Sequence, residues 1–82
     1  MGLGRMILLK FLNDVAFPMF PEEAACWIMH DKLNRRALRA SRAAGFCYVW
    51  DVMEDAILNE LLVLDRNRAA MLAVAWGSDE HR

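Results

Sequence analysis

Cys26 and His30 stand four residues apart, the spacing at which two side chains on one helix face can reach the same metal ion. Two ligands do not complete a site. Asp31 does not share that face, and His81 lies in a distant polar tail, so neither metal nor haem is expected and the pair reads as a small buried thiol beside a packed imidazole. Ser41 lies among arginines and Ser78 near the C-terminus, and they are the only serines. Asp51, Glu54 and Asp55 cluster, but carboxylates gathered on an exposed face are ordinarily there for solvation. The chain carries no glycine-rich phosphate loop, HExxH, nucleophile elbow or paired-cysteine motif. General acid–base work also needs a cleft that so short a chain can scarcely form. The expectation is therefore a non-enzymatic protein without cofactors.

Recognition is better supplied. Lys32, Arg35, Arg36, Arg39 and Arg42 recur every three or four residues and, at 100° per residue, fall within about 120° of one helix face. Such a stripe could grip phosphates. Reading bases would need amide or aromatic side chains on the same face, and only Asn34 is near. The stripe therefore reads first as a surface on which Arg35, Arg36, Arg39 and Arg42 choose an acidic protein counterpart. A nucleic-acid-binding module using residues 32–42 is the alternative.

The segment that follows is acidic, with Asp51, Glu54, Asp55, Glu60 and Asp65, yet Leu58 and Leu62 lie among the charges. Residues 56–64 are apolar nearly all round, as in an element buried on several sides. Leu58 and Leu62, with Trp76 near the end of the last helix, are the expected apolar anchors for a partner. Glu60 falls inside the apolar arc, where an unpaired carboxylate is costly. It therefore calls for a cation, and Arg68 of a second subunit is the expected one.

The elements that must position these residues read as helices. Threonine and glutamine are absent, and alanine and leucine dominate, which favours helix over sheet. Leu8, Phe11, Leu12 and Val15 predict a first helix over residues 3–17, with Pro18 and Pro21 bracketing a connector. Pro21, Glu22 and Glu23 have the form of a helix start, and Gly45 that of a stop, which predicts a second helix up to Ala44. Phe46, Trp50, Met53, Ile57, Leu61, Leu64, Met71 and Ala75 keep one register, predicting a third helix to about Trp76. It reads as one long helix kinked at 65–68, with a split into two helices there as the alternative. The fold expected is all-α: a short N-terminal helix on an antiparallel hairpin of two longer helices, forming a dimeric helical bundle. Residues 1–76 make one domain, and 77–82 a disordered polar tail. In the hairpin Cys26 and Cys47 lie about 27 Å apart by helical rise, too far for a disulfide.

The chain of 82 residues is 57% hydrophobic with a net charge of −1. That is more apolar content than a small isolated core uses, and it implies a self-association surface, a partner surface or a membrane contact. Residues 6–17 are interrupted by Lys10, Asn13 and Asp14 and cannot span a bilayer. Peripheral membrane attachment through them is a second alternative, ranked last because Asp14 opposes an anionic surface. With two widely spaced cysteines and no signal peptide, a reducing cytoplasm is expected. The leading expectation is a small helical interaction module that docks on a larger protein and modulates or inhibits it, as viral and mobile-element products commonly do to host proteins, and that forms a homo-oligomer.

Overall fold

The computed structural model describes the backbone of residues 3–80 and the side chains of 4–76. Its elements are α1 (Leu3–Phe11), a π-helical stretch (Leu12–Ala16), α2 (Phe17–Met19), β1 (Ala25–Asp31), α3 (Arg35–Ala43), β2 (Cys47–Glu54), β3 (Ile57–Asp65) and α4 (Arg66–Glu80). The molecule is thus an α/β fold with a three-stranded antiparallel sheet, which overturns the all-α helical bundle that the composition suggests. The expected second helix is a strand, a turn and a shorter helix. The expected third is a β-hairpin followed by α4.

The first helix survives, with a defect. Pro18 has no N–H for the carbonyl one turn back, and the turn before it is widened so that Phe17 N–H donates to Leu12 O. Asn13 sits in the widened turn and donates from one amide to Leu9 O and Ala69 O, both at 3.0 Å. This stitches the N-terminal helix to α4.

The sheet order is β1-β3-β2, so the last strand in sequence is the central one. Strand β1 pairs with β3 from Ala25↔Asp65 to Asp31↔Asn59, and β2 from Cys47↔Val63 to Glu54↔Ile57. A bulge at Val49 shifts the second register between Tyr48 and Trp50. It keeps Tyr48 and Asp51 on one face and Cys47, Trp50 and Val52 on the other. The hairpin turns through Asp55 and Ala56, with φ of +51° and +64°. Two positive φ values in a two-residue loop make a turn whose twist matches the strands it joins.

All helices lie on one side of this sheet. Leu62 and Leu64 point into that side and, with Leu9, Leu12, Phe17, Leu38, Ala44, Phe46 and Ala69, form the core. Period two explains what the helical reading missed. In β3 the even positions Glu60, Leu62 and Leu64 are buried, while Asn59, Leu61 and Val63 on the opposite face are half-buried. A strand with apolar residues on both faces has no polar side, and periodicity alone cannot separate it from a buried helix.

The helix ends carry their own signals. Asn34 accepts a hydrogen bond from Ala37 N–H and caps α3. Asp65 accepts one from Arg68 N–H at 2.6 Å and caps α4. Gly45 has φ +107°, and a β-carbon there would run into Leu72. The polar tail expected at 77–82 falls outside the described side chains.

Candidate interaction surfaces

Two surfaces stand out, one on each side of the sheet. The first is a groove of 630 Å³ between α3 and the sheet, lined by Lys32, Arg35, Leu38, Arg39, Arg42, Ala43 and Glu60. Arg35, Arg39 and Arg42 project from successive turns of α3, whereas Lys32 belongs to the turn after β1 and not to the helix. Lys32 is placed by its own backbone, whose N–H donates to Leu58 O at 2.9 Å.

Glu60 forms the floor of this groove. It is only 7% exposed, and its carboxylate meets Arg42 Nη2 at 2.5 Å and Lys32 Nζ at 3.8 Å. The cation it requires therefore comes from its own chain and not from Arg68, whose Nε donates instead to Gly45 O at 3.1 Å. Lys32 also donates to both oxygens of Asp51, at 2.9 and 2.8 Å, and Tyr48 hydroxyl donates to Asp51 at 3.1 Å. The Lys32 hydrogen bond holds the Asp51 carboxyl below the ordinary carboxylate range, and the same bond raises Lys32. Desolvation, helped by the bond to Asp51, pushes the Tyr48 phenol up.

Lys32 and Arg42 are thus engaged by carboxylates. Arg35 and Arg39 line the groove without an ion-pair partner among the described residues, and Arg36 is likewise exposed and unpaired. At the hairpin end of the groove lie Met53 and Leu58, facing each other across the strands and exposed by 64% and 39%. The other two expected anchors are in or against the core. Leu62 is wholly buried, and Trp76 packs on the core beneath Arg5, whose guanidinium lies 4.1 Å from its ring centre.

The second surface was not foreseen. The face of the sheet away from the helices presents Ala25, Trp27 and Met29 from β1, Leu61 and Val63 from β3, and Cys47, Trp50 and Val52 from β2. Trp27 is 55% and Trp50 59% exposed. Charge appears only at the ends of the strands, as Asp31, Glu54 and Asp65, and it is acidic throughout. The only signal for this face in the sequence was the alternation Cys26, Ile28, His30 against Trp27, Met29, which the helical spacing of Cys26 and His30 obscured.

Of the residues singled out for chemistry, His30 and Ser41 are brought together. His30 Nε2 lies 2.8 Å from Ser41 Oγ, and the pair joins β1 to the buried side of α3. Ser41 is buried, and no carboxylate is hydrogen-bonded to the other imidazole nitrogen among the described residues, so the dyad lacks the third member that orients a catalytic histidine. Burial raises the Cys26 thiol, which makes it a poorer nucleophile at neutral pH. Cys26 and Cys47 are free, on opposite faces and on strands separated by β3. That places them about 10 Å apart, beyond disulfide reach. No group of three or more possible ligands is assembled for a metal among the described residues.

Residues 6–17 turn Leu9, Leu12 and Phe17 inward and leave Ile7, Phe11 and Val15 exposed. Among the described residues no helix is long and apolar enough to cross a membrane. Compared with protein-family models, curated proteins and solved structures, the chain matches none of them.

Proposed function

We propose that this chain is a non-enzymatic protein-interaction module whose α3 groove takes an acidic, partly apolar segment of a larger cytoplasmic partner and thereby modulates it. The observation that carries this reading is the charge imbalance of the groove. Of the four cations that line it, Lys32 and Arg42 are engaged by Asp51 and Glu60, and Arg35 and Arg39 are left to find their anions elsewhere. Each can form a bidentate bond with a carboxylate, and the neighbouring Met53 and Leu58 offer apolar contact where the hairpin ends. Acidic residues interspersed with apolar ones are the matching chemistry.

Nucleic acid is the weaker reading because Asn34, the one amide near the stripe, is spent on capping α3, and Trp27 and Trp50 lie on the opposite face. With Lys32 and Arg42 engaged, only Arg35, Arg36 and Arg39 remain for phosphates. Three contacts would give a salt dependence of about −2.7 in log–log slope on duplex DNA.

The test is affinity capture with tagged native chain and with the Arg35→Glu/Arg39→Glu variant, each with and without nuclease. A stoichiometric, nuclease-resistant protein held by the native chain and lost with the variant supports the groove. A captured protein that the variant retains equally, or capture that nuclease abolishes, refutes it.

A further inference from the structure

We propose that the uncovered face of the sheet is a self-association surface, on which a second copy of this chain packs face to face to make a two-sheet sandwich.

Three observations lead there. The first is strand composition. An antiparallel sheet with one solvated face alternates apolar and polar residues, but here Trp27, Met29, Trp50, Val52, Leu61 and Val63 turn apolar side chains outward just as Ile28, Leu62 and Leu64 turn theirs inward. These are strands of a sheet covered on both sides.

The second is surface area. A compact chain of 9.4 kDa is expected to expose about 5,000 Å², and this one exposes 6050 Å². The radius of gyration is 13.5 Å, against about 11.7 Å for a chain of this length. The smallest dimension of the Cα trace is only 16 Å, as in half of a thicker body. The excess of about 1,000 Å² belongs to the whole chain, Ile7, Phe11, Met71 and Val74 on the helices included, and is large enough to contain the roughly 800 Å² that each partner contributes to a standard interface.

The third is charge, which also selects the occupant and its orientation. The centre of the face is uncharged, so a copy meets no repulsion there. Asp31 and Glu54 lie together at the hairpin end, and Ala25, Cys47 and Val63 at the other, with Asp65 alone beside Ala25. A two-fold axis running across the strands sets the Asp31/Glu54 end of each copy over the other end of its partner, where Asp65 is the one charge. The opposite choice, an axis along the strands, would bring Asp31 of each copy against Glu54 of the other at both edges. The arrangement is isologous and closed, and it leaves both α3 grooves on the outside. It is independent of what the grooves bind.

Sedimentation velocity of the full chain tests this, run from about 1 to 100 µM to bracket a micromolar dissociation constant. The native chain is expected to reach twice its 9.4 kDa mass. The Trp27→Ser/Trp50→Ser variant, with both changes at exposed positions, should remain at monomer mass with an unchanged circular dichroism spectrum. If that variant does not fold, Met29→Glu, a single change on the same face, is expected to give the same loss. Ile7→Glu/Phe11→Glu, on the outer side of α1, should leave the dimer intact. A native chain that is monomeric throughout overturns the proposal. So does a dimer that survives the tryptophan changes, or one abolished by the α1 changes instead.

Discussion

Arg42 and Glu60, eighteen positions apart, meet at 2.5 Å and fasten the last turns of α3 over the middle of the central strand. The carboxylate is nearly buried while the guanidinium is half in water. Removing the cation therefore leaves the greater debt. We expect Arg42→Ala to destabilise the fold by about 2 kcal/mol, discounted from the fully buried case because Arg42 remains solvated and Lys32 is near. Glu60→Leu, which removes the buried charge and fills the space, should cost less than Arg42→Ala. Urea unfolding of both single variants and of the double variant measures the coupling.

The Lys32–Asp51 bond predicts a stability plateau between two limbs. Asp51 is lowered chiefly by its bond from Lys32, so its contribution is complete above the ordinary carboxylate range and is lost as pH falls through the lowered value. Lys32 is raised chiefly by the same bond, so its contribution is complete below the ordinary lysine range and is lost as pH rises through the raised value. Asp51→Asn should remove the acid limb and most of the alkaline one, the remainder being the attraction of Lys32 to Glu60. Urea midpoints across pH would show this, with NMR titration of the Asp51 carboxyl as the direct measurement.

Ala56 is the residue least suited to its place. At φ +64° a β-carbon costs about 1–2 kcal/mol, whereas glycine costs up to about 1 kcal/mol in unfolded-state entropy. The balance favours glycine. Ala56→Gly should stabilise the chain by roughly 0.5–1 kcal/mol, read as a raised urea midpoint with an unchanged slope. Gly45→Ala should do the reverse by about 2 kcal/mol or more, since it combines φ +107° with a clash against Leu72.

Arg66 closes the loop between α2 and β1. Its guanidinium donates to Phe17 O, Phe20 O and Glu23 O at 2.7–3.2 Å and lies 4.7 Å from the Phe17 ring centre. Lysine cannot reproduce that planar fork. Arg66→Lys is expected to cost about 2 kcal/mol and to expose residues 20–24 to protease, a change that limited trypsin-free digestion with mass mapping would locate.

The elements that sequence could show were those with local causes. The N-terminal helix shows its helical spacing over residues 3–17, although Pro18, expected to end it, only widens the preceding turn and the helix runs on to Met19; Glu60 declared its need for a cation by standing among apolar residues. The error over residues 46–65 has a physical source. Strand β3 is apolar on both faces, so its period of two is hidden, and Ile57, Leu61 and Leu64 fall on a helical register by coincidence. The hairpin turn carried no glycine to mark it. Asp65-Arg66-Asn67-Arg68 reads from the sequence as a kink in one long helix, and it is the junction from strand to helix. The cation for Glu60 was misassigned because Arg42 reaches it only once α3 crosses the sheet, a relation no local pattern records.

The central position of β3 has a consequence for how the chain is made. Strand β1 ends at Asp31, and the only strand it pairs with begins at Ile57. At about 5–20 residues per second, translation leaves a gap of on the order of one to five seconds. During that interval Trp27 and Met29 belong to a strand without a neighbour, while β2 and β3 can close their hairpin within about 10 µs of both being available. Assembly is therefore limited by delivery of the middle strand, and a nascent chain stalled between residues 31 and 57 would present an unpaired, tryptophan-bearing edge to whatever chaperone is at hand.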